Sequence, residues 1–184
     1  MNKEQIRKVV LSKRNALSHQ EIKEKSKSIA EKLFAQPEFT EARTVCLYIS
    51  FGSEVKTEAI IEECALRSKK IVIPSMVGMS GELVAAEFLG FEKLRKTFFG
   101  IMEPYPVQQV SLDNIDLVVA PGVAFDKDHN RVGFGKGYYD RFLAKLLPGI
   151  PKIALAFDLQ IVEPFKAEET DVRMTKIITE SRIL

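Results

Sequence analysis

The stretch from residue 45 to residue 74 most narrows the folds open to this chain. "VCLYI" (45–49) and "IVIP" (71–74) are short, almost wholly apolar runs, and "TEAIIEECALRSKK" (57–70) between them has helical spacing, with Thr57 placed as its N-cap. Apolar runs without polar alternation are strands buried on both faces. Strand, helix, strand in that order makes a crossover between parallel neighbours. A chain built around this unit is α/β.

The remaining segments extend the same architecture. "LVAAEFL" (83–89), "IDLVVAPG" (115–122), "KIALAF" (152–157) and "KIIT" (176–179) read as further strands. Residues 3–17 carry Ile6, Val9, Val10 and Leu17 near helical spacing. Ser18 and Glu21 form a capping box for a second helix with Ile22, Ile29, Ala30, Leu33 and Phe34 on its apolar side, stopped by Pro37. No internal repeat, low-complexity tract or linker interrupts the 184 residues. The expectation is one domain over 1–184, a three-layer α/β/α sandwich, Rossmann-like, with a mostly parallel sheet.

Composition removes several function classes. Twenty-seven basic residues stand against 25 acidic ones, a net charge of +2, which gives no general attraction for nucleic acid. No apolar run approaches the length of a membrane span, and "MNKEQIRKVV" lacks the apolar core of a secretory signal. Cys46 and Cys64 form no CxxC and read as reduced, buried thiols in a cytoplasmic protein. A monomer acting on a small molecule is expected.

The chemistry concentrates in "RVGFGKGYYDRF" (131–142). Gly133, Gly135 and Gly137 alternate after the 115–120 strand, and Tyr139, Phe142, Leu143 and Leu146 then fall on one helical face until Pro148-Gly149. Glycines let backbone N–H groups approach an anion, and a helix N-terminus favours one. The familiar phosphate motifs do not fit. GxGxxG would need glycine at Tyr138; a P-loop would need glycine at Asn130 and a hydroxyl residue at Gly137. "DKDHN" (126–130) starts like a calcium loop, but Arg131 and Gly137 stand where its glycine and terminal glutamate belong. Taken alone, the loop reads equally as a phosphate seat or as a structural turn.

Charge around the loop favours the phosphate seat. Arg131 and Lys136 bracket it, and Asp140 in the first helical turn is either a dipole-stabilising acid or a hard-oxygen ligand for Mg²⁺. On the first helix Lys3, Arg7 and Arg14 lie at about 0°, 40° and 20°, one narrow basic stripe. Such a stripe is either a solvated face or an anion seat.

"GVAFDKDHNRVGFGKGYYDRFL" resembles the signature of the 5-formyltetrahydrofolate cyclo-ligase family, also called 5,10-methenyltetrahydrofolate synthetases. The likeness extends to "KEQIRKVVLSKR", "LYISFGSEVKTEAII", "FFGIMEP" and "ETDVRMTKIITE". It implies an enzyme that uses ATP and Mg²⁺ to close 5-formyltetrahydrofolate, with or without a polyglutamate tail, into 5,10-methenyltetrahydrofolate, releasing ADP and phosphate. The resemblance implies that Lys3 and Arg7, with Arg14 on the same stripe, hold ATP phosphates. Arg131, Val132, Gly133, Phe134, Gly135, Lys136, Gly137, Tyr138 and Tyr139 form the rest of the nucleotide site. Lys136 and Tyr139 are the catalytic candidates; Ile49, Glu54 and Tyr138 would contact the folate; Asp140 and Asp171 would bind Mg²⁺. The sequence departs from the family pattern at Thr170, where histidine is common, and at Thr175, where a second aspartate is common, leaving Asp171 the one acid in "TDVRMT".

That chemistry suits the residue types. A formamide oxygen is a poor leaving group until phosphorylated, and phosphoryl transfer needs positioning and charge neutralisation rather than a protein nucleophile. His19 and His129, the only histidines, have no triad-like setting. Phe51, Phe98, Phe99 and Tyr105 are either ordinary core or a pterin platform, and Glu103 has no assigned role. Two other readings stay open: another enzyme on a similar sandwich, such as a sugar-phosphate isomerase or acyl transferase, and a non-catalytic folate or nucleotide binder.

Overall fold

A computed structural model describes residues 1–77, 81–97 and 100–184. Its centre is a six-stranded sheet built from β1 (Thr44–Cys46), β2 (Lys70–Val77), β3 (Glu82–Glu87), β6 (Leu117–Ala120), β9 (Lys152–Leu155) and β11 (Lys176–Ile178), in the order β11-β9-β6-β1-β2-β3. All neighbours are parallel except β3, which returns antiparallel along β2. The expected crossover is present: β1 pairs parallel with β2, Val45 opposite Ile71, through α4 (Glu58–Leu66).

Period-2 alternation sorts the sheet residues into two cores. Val45, Leu117, Val119, Ile153 and Leu155 face one side with Ile29 and Leu33 of α2 (His19–Phe34) and Ile60 of α4. Cys46, Val118, Ala120 and Ala154 face the other, where small side chains let Phe142 and Leu143 of α5 (Tyr138–Leu143) come close. A third cluster seats Ile6 and Val10 of α1 (Lys3–Asn15) on Val123, Ala124 and Val132. These last residues belong to β7 (Ala124–Asp126) and β8 (Arg131–Val132) or adjoin them; with β10 (Ile161–Val162) they form a small second sheet that the sequence reading lacked. A hairpin, β4 (Leu94–Lys96) with β5 (Met102–Pro104), is also new.

The caps partly follow the sequence. Ser18 and Glu21 form the expected box, and Asn2 with Gln5 forms another on α1. Thr57 occupies the N-cap position of α4 but its side chain caps nothing: its hydroxyl donates to the Tyr48 carbonyl at 2.9 Å and accepts from the Ser50 N–H at 3.1 Å. Pro37 opens a five-residue helix, α3 (Pro37–Glu41), rather than merely ending the helix before it. Cys46 and Cys64 are both free and buried; burial pushes the Cys64 thiol up to about 11.

Candidate active site

The sheet order places a switch point between β1 and β6. The chain leaves β1 for β2 on one side, and passes from β6 to β9 to β11 on the other. Loops after the carboxyl ends of β1 and β6 therefore diverge, opening the crevice where such sheets bind ligands. Three loops meet there. After β1 come Tyr48, Ser53 and Glu54; after β6 comes Gly122; after β9 comes Gln160, whose amide donates to the carbonyls of Gly122 at 2.9 Å and Val123 at 3.0 Å.

Glu54 is buried in this crevice, 8% exposed, and its Oε2 accepts the Phe51 N–H at 2.9 Å. Burial pushes its carboxyl above the usual range; the Phe51 N–H and the charges of Arg14 and Lys56 pull the other way. The basic stripe is not a solvated face: Lys3 and Arg7 are half-buried, and Arg14 lies deeper still. It is 4% exposed, with Nε on Ser53 Oγ at 3.1 Å and Nη1 on the Gly122 carbonyl at 3.2 Å. Alignment on a helical wheel missed this because the end of α1 runs under the 51–54 loop.

The glycine loop leaves β8 and enters α5. Each alternate glycine lies against an arginine. A Cβ at Gly133 would stand 3.0 Å from Arg131 Nη1, one at Gly135 would stand 3.3 Å from Arg7 Cζ, and one at Gly137 would stand 3.1 Å from Arg141 Nη1. Two of these guanidinia also bind the loop itself, Arg7 Nε to the Gly133 carbonyl at 2.7 Å and Arg141 Nη1 to the Lys136 carbonyl at 3.1 Å. The loop is thus a backbone ribbon with three cations packed on it. The helix behind it is shorter than its periodicity predicts. α5 has six residues, and 144–146 tighten into a turn as Lys145 and Leu146 donate three residues back. Positive potential at the loop therefore comes mainly from guanidinia rather than from a long helix dipole. Arg141 was the residue the sequence reading passed over; its place three residues after Tyr138, one turn along the same face, was the available signal.

The two candidate metal acids are brought to one corner. Asp140 Oδ1 accepts from Arg131 Nη2 at 2.7 Å and from the N–H of Val172 at 3.3 Å, so the residue beside Asp171 touches Asp140 directly. Asp171 Oδ2 accepts from Lys3 Nζ at 2.6 Å and from the Glu168 N–H at 2.7 Å. Lys3 also reaches Glu168 at 2.9 Å, a partner not foreseen. Asp140 Oδ2 and Asp171 Oδ1 make no hydrogen bond among the described residues, where no cluster of three or more acid, histidine or cysteine ligands occurs. Two carboxylates with an oxygen each to spare, beside the glycine loop, fit Mg²⁺, which takes one or two protein carboxylates and completes its shell with phosphate and water.

Tyr139 follows the glycine loop and stands beside Arg131. Its ring lies 5.3 Å from the Arg131 guanidinium, and its hydroxyl is buried without a hydrogen-bond partner among the described residues. Burial holds that hydroxyl well above its ordinary range; Arg131 lowers it, while Cys46, Tyr48 and Glu54 raise it. Arg131 Nε is likewise buried and unpartnered. A buried unpaired donor costs about 1–3 kcal/mol, so these two mark where an acceptor-bearing ligand would be rewarded. Tyr138 rests on the turn into β3: a Cβ at Gly81 would lie 2.6 Å from its ring.

The remaining candidates divide. Lys136 and Phe134 are exposed on the loop, Phe134 by 60%. Val132 turns its side chain into the core under α1, so only its backbone can meet a nucleotide. Ile49, just beyond β1, is half-buried against the main core. Phe51 is 50% exposed and packs on Gly100, and Tyr105 lies under the Arg95 guanidinium at 3.5 Å. Phe98 and Phe99 lie outside the described residues. Glu103 on β5 accepts the Met76 N–H at 3.2 Å, and burial raises its carboxyl. His129 sits in the β7–β8 turn with Nδ1 against the Met174 carbonyl, a structural placement.

The family model for the 5-formyltetrahydrofolate cyclo-ligase family matches residues 1–180. The mouse (Mus musculus) 5-formyltetrahydrofolate cyclo-ligase is 30% identical, over 90% of this chain and 87% of its own length. The solution structure of the Aquifex aeolicus 5,10-methenyltetrahydrofolate synthetase is 33% identical, with a TM-score of 0.87, covering 100% of this chain and 92% of that one. The Mycoplasma pneumoniae 5,10-methenyltetrahydrofolate synthetase structure is 30% identical, with a TM-score of 0.81 and coverage of 98% and 99%. With the loop, the paired acids and the buried glutamate in place, these matches show that the chain belongs to the 5-formyltetrahydrofolate cyclo-ligase family.

Proposed function

We propose that the protein converts 5-formyltetrahydrofolate to 5,10-methenyltetrahydrofolate at the expense of ATP and Mg²⁺. The observation that carries this reading is the glycine ribbon with three guanidinia packed on it, set between paired acids and a buried glutamate. Cations without a nucleophile suit phosphoryl transfer to a carbonyl oxygen.

Lys3, Arg7, Arg131 and the loop N–H groups bind the triphosphate and spread its charge. Glu54 accepts the pterin N–H groups and fixes the formyl group toward the loop. The formyl oxygen attacks the γ-phosphorus and ADP departs; N10 then attacks the activated carbon, phosphate leaves with the oxygen, and N10 gives up its proton. Tyr139, held neutral by burial, donates a hydrogen bond to phosphoryl oxygen as charge shifts onto it, and Lys136 reaches in from the exposed face of the loop. Asp140 and Asp171 would hold Mg²⁺, which neutralises the transferring phosphoryl group.

A cytoplasmic setting accords with the two free, buried cysteines. Among the described residues no helix is long and apolar enough to cross a membrane. The conjugated methenyl product absorbs in the near ultraviolet and its precursor does not. Growth of that band from 5-formyltetrahydrofolate supports the proposal; its absence with ATP and Mg²⁺ present refutes it.

A further inference from the structure

Arg14 is set apart from Lys3 and Arg7 by what it touches. Its guanidinium bridges the two loops that flank the switch point, Ser53 Oγ on one and the Gly122 carbonyl on the other. Ser53 Oγ in turn donates to Asn15 Oδ1 at 2.5 Å, so the hydroxyl beside Glu54 is held from both sides by the end of α1. Glu54 itself closes a turn: its N–H donates to the Phe51 carbonyl at 3.1 Å, and its Oε2 takes the Phe51 N–H. Its other oxygen, Oε1, makes no hydrogen bond among the described residues.

Titratable groups whose charge or burial couples to Glu54 are Tyr48 and Lys56 from its own loop, Tyr139 from α5 and Arg14 from α1, of which Arg14 also grips the adjacent Ser53 Oγ at 3.1 Å. Both tyrosines are neutral, their hydroxyls held up by burial. Lys56 bends outward to the Gly52 carbonyl at 2.9 Å in an exposed bond. Arg14 is the buried cation of the set, and an arginine stays charged. Arg14 commits Nε and Nη1 to the Ser53 hydroxyl and the Gly122 carbonyl, away from the glycine ribbon that Arg7 and Arg141 bind, and so is set to hold the turn that carries Glu54.

We propose that Arg14 is a positioning residue of the folate subsite: it pins the 51–54 turn through Ser53 and supplies the buried positive charge opposite Glu54, so that Glu54 meets the pterin N–H groups as an ordered carboxylate. Arg14 takes no part in holding ATP. This rests on the reading that Glu54 contacts the folate.

Steady-state kinetics of Arg14→Met, Arg14→Lys, Glu54→Gln and the double variant Arg14→Met/Glu54→Gln test it. Arg14→Met raises KM for 5-formyltetrahydrofolate about tenfold or more near neutral pH, and this KM climbs further by about tenfold per pH unit on the acid side, as Glu54 takes up a proton. KM for ATP stays within about twofold of wild type, since uniform nucleotide binding is untouched. Arg14→Lys keeps the charge and restores the wild-type pH profile with part of the affinity. On the Glu54→Gln background Arg14→Met adds little, because both act on one interaction. A raised KM for ATP with an unchanged folate KM, or effects of Arg14→Met and Glu54→Gln that multiply, would overturn the inference. Should Arg14→Met not fold, Arg14→Lys decides by the same split between the two KM values. An unchanged folate KM in Glu54→Gln alone removes Glu54 from the site, which is a different failure from that of Arg14.

Discussion

Arg131 and Asp140 form an ion pair at 2.7 Å in which the guanidinium is 3% exposed and the carboxylate 18% exposed. The pair joins the start of the glycine ribbon to the helix behind it, and places one of the two candidate metal acids beside that ribbon. Asp140 therefore balances a buried arginine and would contribute to metal binding.

Asp140→Asn is expected to show both functions. Losing a charged hydrogen-bond partner of buried Arg131 costs about 1.5–3 kcal/mol, lowering the melting temperature while the protein still folds. Turnover nearly vanishes at ordinary Mg²⁺ and recovers in part as Mg²⁺ is raised, because a neutral amide is a weaker ligand for a hard cation. Turnover measured against Mg²⁺ concentration checks this; superimposable wild-type and mutant curves would remove Asp140 from the metal site.

Lys3→Ala breaks the tie between α1 and the segment at Glu168 and Asp171. Burial disfavours the Lys3 ammonium, but the hydrogen bonds to Asp171 and Glu168 outweigh it and raise its pKa above 10.5. A raised lysine stabilises fully below the unfolded value and loses that contribution as pH climbs through the folded one. The melting temperatures of wild type and Lys3→Ala should thus differ at neutral pH and converge above pH 10.5. The rise in melting temperature on adding ATP should shrink in the variant. An equal ATP-induced rise in both proteins would leave Lys3 as a purely structural tie.

Gly135→Ala tests the guanidinium-on-glycine packing. Gly135 has φ +95°, where a side chain costs about 1–2 kcal/mol, and its new Cβ would press on Arg7 Cζ at 3.3 Å. Arg7 is displaced from the Gly133 carbonyl, so KM for ATP rises by about fivefold or more, the equivalent of about 1 kcal/mol. A wild-type KM for ATP would mean that the ribbon tolerates a bulkier residue and that Arg7 is not set by it.

Glu54→Gln should separate stability from binding. Burial raises the Glu54 carboxyl above 4.5, so the fold resists its ionisation. That penalty grows as pH rises through the raised value, and Gln removes it while still accepting the Phe51 N–H. The variant should melt at least as high as wild type at neutral pH, the difference fading toward pH 4.5. Affinity for 5-formyltetrahydrofolate should fall by about 1.5–3 kcal/mol, with ATP binding nearly unchanged. A variant that melts lower and binds folate normally would contradict both halves.

The sheet was legible because buried parallel strands leave unbroken apolar runs; Val45 to Leu47, Leu117 to Ala120 and Ile153 to Leu155 were visible without tertiary information. The small sheet was not, since Ala124–Asp126 and Arg131–Val132 are too short to show a period. In the site, the spacing of the glycines marked the loop, but not that Arg131 and Arg141 fold back onto Gly133 and Gly137 or that Arg7 reaches Gly135 from the first helix. Arg14 shows the limit most clearly: its wheel position matches Lys3 and Arg7, yet its partners Ser53 and Gly122 lie 39 and 108 residues away in sequence. Long-range contacts of that kind leave no local pattern.

ATP-driven ring closure would require a phosphate seat at the glycine ribbon and a folate seat at Glu54 to act together. The most direct measurement follows the near-ultraviolet band of the methenyl product from 5-formyltetrahydrofolate with ATP and Mg²⁺ supplied together and each withheld, while ADP is quantified in the same samples. A band is expected only when both are present, with one ADP released per product formed. A band that grows without ATP, ADP release uncoupled from product, or no band with every component present would contradict it.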